Sequence, residues 1–538
     1  MRKSTWEVAI NGRGISVNDI MHKFWSHRGI TDPEVFLNPS GFLYPAQEFK
    51  YIDDAARTFL IMLKGGFKFL IYADVDTDGC TSAAILYHYL TAHGAEAEVY
   101  INHKKDHGVK DDFFETDHGE GIVIVVDSIN NDMTQYEKIW AQGKQLIILD
   151  HHVPNDVILQ NAQALRLVSS AFDYPNPHLS GSGVTWKFVR YIDSILGTNY
   201  SDDLVDLAAT GIIADVCSVG IDSMENREIC NLGFKHIVNV GIRTLVGADE
   251  MNADSVAYSI APFINAANRM NENESALNIF LTDKSTEAKQ LAKDLKKIRD
   301  RQRAKANELF EEFDQYVVEN QIDNACYLFF VDEEVGTLGG LLATKASDKW
   351  QRPCCVLHTT PEGYAGSMRA VGVEDFRALA NASGVAQCEG HPNSAGIVIQ
   401  DPNYFNAYIN NALRDVTFKP VQHVDVQIDR VQITPFLINK IRQVNRISGN
   451  DFPAITFLIE NVKNYTVRQL SQGKHLCIEV PDMKFLQWNF SKWEDVEESG
   501  CLSAIGTLDE SFFCGKFTQQ MLMQDYIFER TPEKQLLW

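Results

Sequence analysis

Three short runs of apolar, largely β-branched residues stand out in the first half of the chain: residues 67–73 (Phe-Lys-Phe-Leu-Ile-Tyr-Ala), 122–126 (Ile-Val-Ile-Val-Val) and 146–149 (Leu-Ile-Ile-Leu). Their unbroken apolar character predicts strands buried on both faces. Between them the spacing turns helical. Ala83, Ala84, Leu86, Tyr87 and Leu90 recur at helical intervals after Gly79, and Gly94 suits the C′ position of that helix. Strands alternating with helices predict a parallel α/β sheet. Each strand is followed at once, or within a residue, by an aspartate: Asp74, Asp127 and Asp150. Ligands of open α/β sheets sit beyond the carboxyl ends of the strands, so these acids are expected to converge. A further acid, Asp215, follows the run 207–214.

Residues 283–320 contain neither Gly nor Pro and carry Lys284, Lys289, Lys293, Lys296, Lys297, Arg299, Arg301, Arg303 and Lys305, which predicts a long connecting helix. Its basic half either faces a phosphate backbone or is a solvated face, the commoner case. Residues 325–400 mix strand-like segments (Tyr327–Val331, Cys354–Leu357, Ala395–Ile399) with Gly-rich turns, predicting a second, smaller α/β domain. From about Thr417, short strand patterns alternate with turns such as Ser448-Gly449-Asn450-Asp451 and Ser471-Gln472-Gly473-Lys474. This predicts a β-rich domain, a small barrel.

Bulk properties narrow the class. A chain of 538 residues suggests roughly three to four domains. Hydrophobic residues at 45% and charged residues at 22% are ordinary for a globular protein, and no apolar run approaches the roughly 18 residues needed to span a bilayer. No membrane span is expected, and the start lacks the apolar stretch of a secretory signal, which points to the cytoplasm. Ten scattered cysteines without a Cys-x-x-Cys pair read as buried thiols of a reducing compartment. A net charge of −23 excludes a protein that coats nucleic acid through bulk electrostatics, so any such contact is a local groove.

The chemistry lies in the acids. Asp74-Val75-Asp76-Thr77-Asp78-Gly79 begins like a calcium-binding EF-hand loop, but its twelfth position is Ile85 where a bidentate Glu belongs, and the run follows a strand. Clustered carboxylates repel and raise one another's pKa, a cost that a bound cation relieves. Asp150-His151-His152 adds adjacent histidines at another strand end, where a metal or substrate role outweighs a structural one. With Asp127 and Asp215, the oxygen and nitrogen ligands suffice for two ions such as Mn²⁺ or Mg²⁺. Two such ions roughly 3.5–4 Å apart hold a hydroxide and the non-bridging phosphate oxygens for in-line attack. No thiol lies in these motifs, which argues against a zinc–cysteine site. Further on, Gly366-Ser367-Met368-Arg369 and Glu389-Gly390-His391 read either as a phosphate clamp or as an ordinary Gly-Ser turn near an Arg.

The run Tyr72–Ser82, with Asp127, Asp150-His151-His152 and Ala214-Asp215, resembles the four motifs of the DHH phosphoesterase superfamily, and within it the RecJ-type exonucleases specific for single-stranded DNA. Asp32–Pro39, Leu179–Val184 and Ala261–Arg269 resemble further segments of that family, Gly366–Arg369 and Gly390-His391 its DHHA1 domain, and Ser448–Pro453 and Gly473–His475 its OB-fold. The resemblance implies a lead-in (residues 1–60), a DHH catalytic domain with a parallel sheet (61–282), a connecting helix (283–322), a DHHA1 α/β domain (323–415) and an OB-fold-like β-barrel (416–538). It implies a 5′→3′ exonuclease that releases mononucleotides in DNA recombination, repair or replication, with single-stranded DNA as substrate and a helicase or single-strand-binding protein as partner. Asp74, Asp76, Asp78, Asp127, Asp150, His151 and Asp215 would form the metal shell for two Mn²⁺ or Mg²⁺ ions, Asp76 and Asp78 counting also as catalytic. His152 would touch the scissile phosphate. Arg269, Ser367, Arg369, Gly390 and His391 would bind the terminal phosphate.

In the OB-fold, single strands would be held by stacking, with Phe452, Tyr465 and Trp488 as candidates, although aromatics there are usually core. There are departures from the family pattern. Ser128 replaces a Gly after Asp127, Glu389 stands where a Gly-Gly-His signature begins, and the Arg expected near 102–106 is absent, leaving Lys104 or Lys105 without its bidentate fork. With the acidic balance, these suit a divergent, virus-borne relative working in the host cytoplasm. Two other readings stay open: a DHH hydrolase of short oligonucleotides, cyclic dinucleotides or pyrophosphate, and a catalytically inactive DNA-binding scaffold.

Overall fold

The β-branched runs form the middle of a five-stranded, fully parallel sheet: β1 (Lys68–Ala73), β2 (Ala97–Ile101), β3 (Gly121–Val126), β4 (Gln145–Asp150) and β5 (Leu167–Ser169), in the order β2-β1-β3-β4-β5. The computed structural model describes residues 5–102, 107–116, 118–320, 322–361, 363–416, 421–490, 493, 496, 500–513 and 516–530. The chain divides into two compact units, one of Val8–Lys296 with Val424–Trp538, the other of Met1–Glu7 with Lys297–His423.

In the first unit, Leu70, Tyr72, Val123, Val125, Leu146 and Ile148 build one face of the sheet core with Phe113, Tyr136 and Ile139. Against the sheet lies α1 (Thr77–Ala92), whose first ten residues are all buried. A helix buried this uniformly is an interior element, and α2 (Gly181–Leu196) and α3 (Val205–Ala214) pack on it. The run before Asp215 is thus a helix. The strand order reverses at β1: the chain leaves β1 for β2 on one side and crosses to β3 on the other. The carboxyl ends of β1 and β3 therefore border the crevice where open α/β sheets bind ligands.

The C-terminal sheet has eight strands, in the order Thr5–Asn11, Val421–Gln427, Phe457–Val462, Gly500–Phe513, Lys516–Arg530, Met483–Gln487, His475–Val480 and Thr466–Leu470. Its edge comes from the other end of the chain. The lead-in packs there too: Arg28 pairs bidentately with Asp425, both bonds 2.9 Å, and Phe24, Trp25 and Phe36 surround Phe452. The buried Arg227 stitches these parts to the helix Met224–Lys235. It donates to the carbonyls of Phe36 (3.1 Å), Val219 (2.8 Å) and Ile447 (3.0 Å), with its guanidinium 3.6 Å from the centre of the Phe36 ring. Burial lowers its pKa to about 9.

In the second unit, β6 (Tyr327–Phe330), β7 (Cys354–Thr360), β8 (Gly363–Arg369), β9 (Ala386–His391) and β10 (Ser394–Ile399) form a sheet in the order β9-β10-β8-β7-β6, parallel between β6 and β7 and antiparallel elsewhere. Gly366–Arg369 is here a strand and not a Gly-Ser turn. The glycine is required because a Cβ on Gly366 would lie 1.9 Å from the Val356 carbonyl oxygen. The long helix α4 (Ser285–Glu319) begins in the first unit and continues into the second, and along it Ala288, Leu295, Ile298, Gln302, Ala306, Phe313 and Val317 are buried at helical spacing.

Arg227→Ala strands three buried carbonyls and is expected to destabilise the first unit by about 3 kcal/mol or more. Urea denaturation should show a lower midpoint at unchanged slope.

Candidate metal centre and catalytic site

Each acid at the switch point is aimed by a distinct local device. Asp76 caps α1, its Oδ1 accepting the N–H groups of Asp78 (3.0 Å) and Gly79 (3.2 Å). Asp78, in the first turn of α1, accepts the N–H groups of Gly181 (2.7 Å) and Ser182 (3.1 Å) at the start of α2. Gly211 makes room for it, since a Cβ there would lie 2.2 Å from Asp78 Oδ1. Asp127 follows β3 in the left-handed region, at φ +52°, and so does Val216, at φ +56°. The left-handed conformation is rare for a β-branched residue. It lies in the tight turn after α3 that carries Asp215 and Cys217 to the same histidine.

The result is a dense set of carboxylates around one imidazole. Nε2 of His151 lies 3.1 Å from Asp127, 3.6 Å from Asp215 and 3.9 Å from Asp78. Donor atoms gather within 4.8 Å of one another in three groups: Asp74, Asp76 and Asp127; Asp127, His151 and His152; His151, Asp215 and Cys217. Asp127 and His151 each belong to two groups. Burial, and then the charges of Asp78 and Asp76, push the Asp127 carboxyl well above the usual range. Burial raises Asp78, and burial with the Asp78 charge raises Asp215 to about 6. His151 and His152 move the other way from burial's pull. Desolvation lowers both, but the surrounding aspartates override it and carry His152 to about 9.

Asp150 is held by donors of the protein itself. Its Oδ1 accepts the N–H groups of His151 and His152 (2.7 Å each) and Nδ1 of His152 (2.8 Å), and its Oδ2 accepts the Ile129 N–H (2.8 Å). Both oxygens are committed within the protein and the side chain is wholly buried. Burial opposes ionisation, but the His152 charge and these bonds hold the group at about 2. Asp150 thus orients the two histidines, and it stands outside the three donor groups. Cys217 was not foreseen. Its Sγ lies 3.4 Å from Asp215 Oδ2, brought there by the strained turn.

The residues expected to bind the terminal phosphate are divided between the two units. Arg269 ends the helix Ala261–Arg269 in the first unit and is half-buried. Ser367, Arg369, Gly390 and His391 belong to the second unit. There Arg369, Ser394 and His391 lie in one cross-strand row, with Ser367, Gly396 and Glu389 in the next row on the same face. A Cβ on Gly340, at the start of α5 (Gly339–Trp350), would lie 3.3 Å from Arg369 Nη2 and 3.5 Å from Ser367 Oγ. A helix amino end beside an Arg and a Ser suits an anion. Glu389 is exposed in the same row as Ser367. Lys104 and Lys105 lie outside the described residues. Of the three aromatic candidates for stacking, Phe452 and Tyr465 are core residues and Trp488 is 51% exposed.

Oxygen and imidazole donors converging on a buried, like-charged crevice fit hard or borderline divalent ions. Because ligands must lose their protons, Mn²⁺ binding should release protons, and affinity should fall roughly tenfold per pH unit for each proton displaced as pH drops through about 6. Calorimetry at several pH values checks this, and Asp215→Asn should flatten that segment of the profile.

Residues 68–212 match the family described as DHH family, N-terminal domain, and residues 424–525 match the RecJ OB domain. The chain is 27% identical over 455 residues to the single-stranded-DNA-specific exonuclease RecJ of Bacillus subtilis, covering 80% of this chain and 57% of that protein. It is 25% identical over 565 residues to the SPbeta prophage protein YorK of the same organism, which bears the name of a single-strand DNA-specific exonuclease, with 95% and 96% covered. Among solved structures, that of Thermus thermophilus RecJ in complex with Mn²⁺ superimposes with a TM-score of 0.74 at 23% identity, covering 99% of this chain and 80% of that one. The chain thus carries a match to the DHH-family N-terminal domain and a match to the RecJ OB domain, on the fold of RecJ.

Proposed function

We propose that this chain is a divalent-metal-dependent exonuclease that hydrolyses single-stranded DNA from its 5′ end to mononucleotides, in DNA recombination, repair or replication. The observation that carries the reading is the convergence of Asp74, Asp76, Asp127, His151 and Asp215 at the switch point of a chain that also bears a RecJ OB domain. Similarity to RecJ and to a prophage protein of comparable length supports it. An OB domain beside a complete acid set disfavours both a hydrolase of short oligonucleotides and an inactive scaffold.

In this reading Asp74, Asp76, Asp127, His151 and Asp215 would hold the divalent ions, with Asp78 and Asp150 bonded to backbone amides beside them. Bound divalent ions would supply a water made acidic enough to attack at neutral pH and would neutralise the non-bridging oxygens. His152, fixed through Nδ1 by Asp150, keeps its proton near neutral pH and offers Nε2–H to the phosphate, where charge grows as the phosphorus becomes five-coordinate. Arg269, Ser367, Arg369, Gly390 and His391 bind the terminal phosphate and set polarity. Trp488 offers an exposed face on which a base stacks. Among the described residues no helix is long and apolar enough to cross a membrane. We place the enzyme in the cytoplasm, that of the host where the chain is virus-borne, with a helicase or single-strand-binding protein delivering the strand.

With Mn²⁺, the protein should shorten 3′-labelled, 5′-phosphorylated single strands stepwise and leave blunt duplexes intact. Release of label first from the 3′ end would refute the polarity. His152→Ala should lower kcat by about 10²–10³-fold with Mn²⁺ affinity retained, whereas Asp127→Ala should abolish both activity and tight Mn²⁺ binding. Trp488→Ala should weaken binding of single strands by about 1–3 kcal/mol, measured by fluorescence anisotropy.

A further inference from the structure

Beside His152 stands a third histidine that neither the motifs nor the family pattern singles out. The His107 ring lies 4.4 Å from that of His152, centre to centre, and its Nδ1 is 4.0 Å from Asp74 Oδ2, yet 40% of the side chain is exposed. It therefore borders the acid crevice and faces outward from it. His107 belongs to none of the three donor groups found among the described residues, so a place in the metal shell is not its best use. An imidazole beside that of His152, at the mouth of a site that receives a phosphodiester, suits an oxygen of that diester.

The segment that presents His107 is built, not incidental. The Gly108 N–H donates to Ser128 Oγ (3.0 Å), the Val109 N–H to Asn130 Oδ1 (2.9 Å) and the Lys110 N–H to the Tyr72 hydroxyl (3.1 Å), while Asn130 Nδ2 donates to the Val109 carbonyl (3.2 Å). Gly108 sits at φ +90°, and a Cβ there would lie 2.4 Å from Asn130 Nδ2, so only glycine closes this clasp. Ser128 is wholly buried and directly follows Asp127. It is also the residue that departs from the family's usual glycine, a position where a glycine would supply no hydroxyl. The departure and the histidine are thus joined by one hydrogen bond.

We propose that His107 is a further substrate-contacting residue, an imidazole that binds a non-bridging phosphate oxygen of the DNA next to His152, and that Ser128 is its positioning residue, acting through the Gly108 N–H. This rests on the nuclease reading above. In solution, Mn²⁺ affinity, binding of a 5′-phosphorylated phosphorothioate single strand and steady-state hydrolysis of its normal counterpart are measured for wild type, His107→Ala, His107→Gln, Ser128→Gly and the His107→Ala/Ser128→Gly double variant. The expected result is unchanged Mn²⁺ affinity, oligonucleotide binding weakened about tenfold to a hundredfold in His107→Ala, and partial recovery in His107→Gln. Ser128→Gly should show a smaller loss, and the double variant no more loss than His107→Ala alone. Wild-type oligonucleotide affinity in His107→Ala overturns the proposal, and so does a loss of Mn²⁺ affinity, which would make His107 a metal ligand. Additive losses in the double variant overturn the role of Ser128. A wild-type protein that binds the strand without cutting it refutes the nuclease reading alone, and the binding measurements still decide on His107.

Discussion

Holding several carboxylates against one another in a buried crevice is the constraint around which the first unit is arranged. Backbone amides share this work with the imidazoles of His151 and His152. Asp78 is held by two amides at the start of α2, Asp76 by two at the start of α1, and Asp150 by three amides and one imidazole. Backbone amides fix a carboxylate without neutralising it, so the negative potential survives for a divalent ion. This explains why α1 and α2 begin where they do, why Gly211 must approach so closely, and why two residues near the acids, Asp127 and Val216, accept left-handed backbone. The strain sits beside the chemistry, and the surrounding β-branched core is what sustains it.

Much of this was legible in the sequence. The β-branched runs mark β1, β3 and β4 because strands buried on both faces carry no polar alternation, and the aspartates after them mark the crevice. The long helix α4 shows in its lack of Gly and Pro. What was not legible depended on contacts between distant segments. Asp150 looks like its neighbours until the Ile129 amide, from the loop beyond β3, is seen on its second oxygen. Cys217 and His107 enter the site through backbone turns that no spacing rule encodes. Gly366 reads as a turn former, yet its role is to let two strands meet. Phe452 illustrates the same limit: an aromatic after a turn fits a stacking platform as well as a core, and only its enclosure by Phe24, Trp25 and Phe36 decides.

One departure from the family pattern becomes intelligible. Ser128 gains a partner in the Gly108 N–H, whereas the stretch where the arginine is expected lies largely outside the described residues. Glu389 is exposed in the cross-strand row of Ser367, and nothing in the structure explains a carboxylate there.

The edge strand Thr5–Asn11 has a temporal consequence. Its place is beside Val421–Gln427, and the lead-in's aromatics close around Phe452, so residues made first wait for partners made some four hundred residues later. At about 5–20 residues per second, the amino-terminal strand is left unpaired for on the order of tens of seconds during synthesis. An unpaired edge invites association with other chains, while the parallel sheet between the two can form on the ribosome from its own contiguous stretch. The strands that carry Asp74, Asp127 and Asp150 are therefore synthesised well before the sheet that includes Thr5–Asn11 can be completed.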